Sequence, residues 1–168
     1  MAATAAGGVT TALLLWLLSG LFSPLPEGWR VAVFVTLAVL ILFAGHGFLG
    51  VRLPQKRQQI PRTVFDRSPA RAAARFGYEL GTGLRTYLPS AAPHVLAVGL
   101  VVLGGPLWVA AAVGTGFGLG RGLLPAQRAL APDPQRWDAR VEIAGPVLRG
   151  VGEVIALVGP LVAVALLS

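Results

Sequence analysis

The chain has 168 residues, 55% hydrophobic and only 12% charged, with a mean hydropathy of +0.72. Soluble domains carry about a quarter charged residues, so this composition excludes an ordinary water-facing surface. Fourteen basic residues outnumber seven acidic ones for a net charge of +7, and the lack of cysteine excludes disulfides, thiolate metal sites and dithiol redox chemistry.

Residues 1–26, 31–51 and 86–120 contain no Asp, Glu, Lys or Arg. A bilayer-crossing helix needs about 20 apolar residues to traverse roughly 30 Å of hydrocarbon. The expected fold class is therefore an all-α integral membrane protein, a single transmembrane domain over 1–168 with about five transmembrane helices.

The first span is expected at about 8–25, ended by Pro24 and Pro26, with PEGW as a tight turn. MAATAAGGVTT lacks the basic n-region of a secretory signal, so this segment reads as a retained span. Trp29 and Arg30 fall where an aromatic ring and a snorkelling cation mark an interface. The second span follows at about 30–50.

Residues at about 51–75 form a basic segment holding Arg52, Lys56, Arg57, Arg62, Arg67 and Arg71. Within it, Ser68 and Pro69 predict a helix start, with Ser as N-cap and Pro in the first turn. That helix would pass through RFGYELGTG to about Leu88, where Pro89 and Pro93 form a candidate helix break. Pro93 to Leu124 is 32 residues, about 48 Å as one helix and too long for a single crossing. GGP at 104–106 is the natural reversal, between a third span at about 84–104 and a fourth at about 106–123; a kink there is the alternative. A second basic segment at about 124–142 holds Arg128, Arg136 and Arg140, and the fifth span is expected at about 144–167.

The positive-inside rule then favours a cytoplasmic N-terminus, both Arg-rich segments in the cytoplasm, and a C-terminus outside a multi-pass inner (plasma) membrane. The basic residues are thereby explained as topology signals rather than a nucleic-acid groove. GFGLGRG superficially suggests a phosphate loop, but no strand precedes it and it lies within an expected span.

An ordered self-similarity runs through the chain. Gly45, Gly47, Leu53, Pro54 and Arg57 recur 71 residues later as Gly116, Gly118, Leu124, Pro125 and Arg128. Phe65-Asp66 is echoed by Trp137-Asp138, and Arg75 with Glu79 by Arg149 with Glu153. The expected unit is span, basic segment, span. It would form a parallel repeat of spans two–three and four–five, as in some transporters.

Arg75/Glu79 and Arg149/Glu153 are the candidate pathway or structural ion pairs, since residues i and i+4 share a helix face. Arg before Glu is the weaker order for supporting an isolated helix, and ionisable groups deep within a span default to function. The structural alternative is a pair that locks helices together. Gly45, Gly47, Gly114, Gly116, Gly118 and Gly120 offer small-residue faces for close helix packing. His46 and His94 are isolated; each suits a hydrogen bond to a neighbouring helix or a proton pathway, and no metal site is expected.

FGYELGTGLRTYLPSAAPHVLA resembles the membrane domain of the CcdA/DsbD thiol-transporter superfamily, where a Gly-rich helix leads into a Thr-Pro-Cys…Pro break. The resemblance implies a related helical fold. Ser90 and Ala91 stand where the reactive cysteine would be, so it does not carry electron transfer with it. The Arg, Ala and Gly bias is similar to small membrane proteins of high-GC bacteria.

The expected function is a small transporter-like or channel-like membrane protein. The alternative is a non-catalytic partner or assembly subunit of a larger membrane complex. Expected partners are the lipid bilayer and a possible second copy or complex subunit, with no nucleic acid. Neither a cofactor nor enzymatic activity is expected, because no nucleophile–base constellation is visible.

Overall fold

The computed structural model describes residues 1–51, 53, 68–83, 88 and 90–167. Among these the chain is all-helical: α1 (Ala2–Leu18) continuing into a 3-10 turn (Ser19–Leu21), α2 (Glu27–Gly45), α3 (Pro69–Thr82), α4 (Ala92–Val102), α5 (Leu107–Leu130) and α6 (Pro134–Leu167). Four stretches are long and apolar enough to cross a membrane: Ala2–Leu21, Glu27–Gly45, Leu107–Leu130 and Pro134–Leu167.

The helix limits differ from the expected spans for local reasons. α2 stops at Gly45 rather than near residue 50 because Gly47 turns left-handed at φ 82°. Phe48 N–H returns to Phe43 O and Gly47 N–H to Ala44 O, each at 3.0 Å, while the Phe43 and Phe48 rings pack 5.5 Å apart. That is a Schellman closure with its accompanying apolar contact. α3 starts at Pro69 with Ser68 at the N-cap position, but ends at Gly83 (φ 69°) rather than Leu88. α4 has only 11 residues, about 16 Å and short of a crossing. GGP is a true break, with Gly104 and Gly105 at φ 68° and 108°.

The segment expected as the second basic loop is mostly helical. α5 runs through Pro125 to Leu130, and α6 begins at Pro134, leaving Ala131–Asp133 between them. Pro125 is exposed, so the backbone acceptor it leaves without a partner is not sealed in a core. Asp133 caps the next helix by accepting from Arg136 N–H at 3.0 Å, with Pro134 in the first helical position. The 34 residues of α6 measure about 51 Å. A helix can thus extend beyond the apolar run that hydropathy detects.

Two compact units divide the chain. The first comprises Met1–Thr11, Gln55–Tyr87 and Ala111–Pro146; the second comprises Ala12–Pro54, Leu88–Ala110 and Val147–Ser168.

In the first unit, backbones meet almost directly. A Cβ on Gly81 or on Gly118 would collide with the carbonyl oxygen of Thr4, and one on Gly8 with that of Gly114. Gly7 similarly abuts Tyr78 O, and Gly77 and Gly122 abut the Thr4 side chain. The start of α1 is therefore wedged between Gly77-x-x-x-Gly81 of α3 and Gly114-x-x-x-Gly118-x-x-x-Gly122 of α5. Small residues permit such an approach where lipid supplies no hydrophobic drive between helices. Gly116 and Gly120 are exposed on α5 with nothing near their Cβ positions.

The last carbonyls of α3 find donors nearby, as helix ends require. Arg121 Nε donates to Leu80 O at 3.0 Å, Thr11 Oγ1 to Thr82 O at 3.1 Å, and Thr82 Oγ1 to Glu79 O at 2.8 Å.

The second unit has a side-chain core of Phe34, Ala38, Ala92, Val95, Val102, Leu103 and Ala156, contributed mainly by α2, α4 and α6. Gly99 lets α4 settle against Phe34 and Pro160, at 3.3 and 3.4 Å from its Cβ position, and Gly45 lets Ala91 approach α2. Trp16 Nε1 donates to Gly105 O at 2.8 Å, which anchors the GGP break.

Candidate functional site

α4 is short, apolar and buried along one side, and each of its ends is met by an ionisable side chain from another helix. At the N-terminal end, Glu153 of α6 is only 7% exposed. Its Oε1 accepts from Ala91 N–H at 3.2 Å, and its Oε2 lies 2.8 Å from His46 Nε2. α4 begins at Ala92 with Pro93 in its first turn and Ala91 at the N-cap position, so Ala91 N–H is one of the donors that a helix start leaves without an internal partner. A carboxylate at that position also meets the positive end of the helix dipole.

His46 reaches the carboxylate because it is the C-cap of α2, just before left-handed Gly47. Its side chain is 46% exposed, against 9% for Glu153. The site is thus a buried carboxylate joined by one hydrogen bond to a half-exposed imidazole.

At the other end of α4, Arg30 Nη1 donates to Leu103 O at 2.9 Å. The guanidinium opposes the negative end of the dipole. Expected as a snorkelling interface residue, Arg30 is in the structure half-buried and caps α4, with a buried Nε.

Of the expected pairs, Arg75 and Glu79 form theirs: Arg75 Nε donates to Glu79 Oε1 at 3.1 Å on α3, in the first unit. Arg149 and Glu153 both belong to the second unit. Arg149 is exposed on α6, whereas Glu153 turns to His46 and Ala91. Pro93 stands in the first turn of α4; Pro89 lies outside the described residues. The matched repeat positions also differ locally, since Gly47 ends a helix while Gly118 lies inside one against Thr4. Leu53 is described, but Pro54, Arg57, Phe65 and Asp66 lie outside the described residues.

The His46–Glu153 pairing had a weak sequence signal. The two residues are 107 positions apart, and only their presence near or within apolar runs marked them. Among the described residues no three His, Cys, Asp or Glu side chains gather to hold a metal ion. No family model, curated protein or solved structure matches the chain.

Proposed function

We propose that the protein is a small transporter-like membrane protein in which Glu153 and His46 form a proton-exchanging station at the start of α4. The observation carrying this reading is the buried Glu153 carboxylate within 2.8 Å of the half-exposed His46 ring. Imidazole and carboxylate are the side chains that pass protons in pumps and transporters. Discontinuous helices in transporters point their N-termini at anionic groups, and the Glu153 carboxylate takes that place against α4.

α3 and α4, with 14 and 11 residues, are each too short to cross. The reading places the third crossing at about 84–104, which includes α4. That keeps the five-crossing reading with a cytoplasmic N-terminus and an outside C-terminus; a C-terminal reporter found in the cytoplasm would count against it.

The test is proton movement in proteoliposomes carrying an internal pH-sensitive dye, driven by a potassium gradient and valinomycin. Wild-type protein should move protons faster than empty vesicles. Glu153→Gln should reduce the rate at least about tenfold, as expected of a group that carries the proton itself, while the variant still elutes as folded protein. Wild-type flux equal to that of empty vesicles, or unchanged flux in Glu153→Gln, would defeat the proposal.

A further inference from the structure

The first unit gathers arginines at one end. α1 and α5 run antiparallel, because Gly8 abuts Gly114 while Gly122 abuts Met1 and Thr4. α1 and α3 run in the same sense, because Gly77 abuts Ala3 and Thr4 while Thr82 meets Gly7 and Thr11. The start of α3 and the end of α5 therefore both extend past the first residue of α1. Arg71 lies six positions before Gly77 and Arg128 six positions after Gly122, about 9 Å past the level of Thr4 and about 6 Å past the first residue of α1. Arg128 binds Asp138 of α6 through Nε and Nη2, at 2.7 and 2.9 Å, which brings Arg136 and Arg140 to the same end.

Arg71, Arg75, Arg128, Arg136 and Arg140 are all exposed there. Among the described residues, the acids facing them are Glu79, bound to Arg75, Asp138, bound to Arg128, Asp133, which caps α6, and Glu142. Positive charge remains in excess. On the flanks of the same unit, Leu123, Leu124 and Ile143 are exposed by 47%, 43% and 80%, and Tyr78 by 39%. Guanidinium groups above an apolar skirt with an interfacial tyrosine match the boundary between headgroups and acyl chains. Every cation at this end apart from the chain's N-terminus is arginine rather than lysine among the described residues, and the planar guanidinium binds phosphate oxygens two at a time.

We propose that this end of the first unit is a binding surface for anionic phospholipid headgroups, with Arg71, Arg136 and Arg140 taking the phosphates. Arg75 and Arg128, held by Glu79 and Asp138, set the surface's charge without supplying its main contacts. The inference is independent of proton movement, since it uses no residue of the Glu153 site.

The full chain, extracted from vesicles of equimolar phosphatidylglycerol and phosphatidylcholine, would be examined by native mass spectrometry for retained lipid. Phosphatidylglycerol should be retained preferentially, and the preference should shrink as salt rises. The triple variant Arg71→Gln, Arg136→Gln, Arg140→Gln should lose about a hundredfold in preference, about fivefold per charge near an anionic surface. The corresponding triple Lys variant should keep much of it, and Arg149→Gln, outside this unit, should change nothing. Equal retention of both lipids by wild-type protein, or a salt-independent preference, overturns the proposal even where the Gln variant does not fold. So does a triple Gln variant that retains phosphatidylglycerol like wild type, or binding of an acidic soluble polypeptide in place of lipid.

Discussion

Replacing Gly118 with Ala tests whether backbone contact between α1 and α5 holds the first unit together. The added methyl would overlap the carbonyl oxygen of Thr4 and lie 2.7 Å from the Thr4 carbonyl carbon and 2.8 Å from Ala5 Cα. Carbon atoms in contact sit about 3.5–4.0 Å apart, so the two helices must separate by about 1 Å. The obstructing atoms are backbone and cannot rotate aside. A gap of that size removes about a quarter to a half of each dispersion contact along the seam, including those at Gly8 and Gly122. Overpacking of this kind costs about 1–3 kcal/mol, and the better helix propensity of Ala returns up to about 1 kcal/mol. The expected net loss is about 1–2 kcal/mol, a factor of about 5–30 in the folded ratio.

Gly116, two residues earlier on the same helix, has nothing within 4 Å of its Cβ position. Gly116→Ala should be neutral or stabilising by up to about 1 kcal/mol. Both variants and the wild type would be unfolded in mixed micelles by titration with sodium dodecyl sulfate and followed by tryptophan fluorescence. If Gly118→Ala proves as stable as Gly116→Ala, close backbone packing is not what holds this unit.

Arg30→Met removes the charged donor to Leu103 O and should cost about 1.5–3 kcal/mol, with faster amide exchange in the last turn of α4. Arg30→Lys should recover part of the loss, and normal protection in Arg30→Met would rule out the capping role. Gly47→Ala forces a side chain into φ 82° and should cost about 1–2 kcal/mol. It would also displace the His46 ring, so proton flux should fall together with stability in the vesicle assay; unchanged values in both would show that the left-handed turn does not position the site.

The sequence alone determined the class. Three long charge-free runs suit the span of a bilayer, and length and transfer energy are properties of a segment by itself. It also located most local punctuation. Pro69 opens α3, GGP separates α4 from α5, and the i, i+4 pairing of Arg75 with Glu79 follows from helix geometry within a single element. Helix ends beyond the apolar runs were less legible, because α5 and α6 continue through polar residues whose helical state depends on caps and neighbours.

Only the tertiary structure decided which residues act together. Gly114, Gly118 and Gly122 face α1, while Gly116 and Gly120 face away, a distinction set by the rotation of α5 about its own axis. Glu153 reads in the sequence as the partner of Arg149, four residues before it on the same helix. In the fold it serves His46, 107 positions away, and the free N–H of Ala91. The physical reason is the short α4: a helix embedded among others must have its terminal donors and acceptors satisfied from outside, and Glu153 and Arg30 are the side chains that reach its two ends.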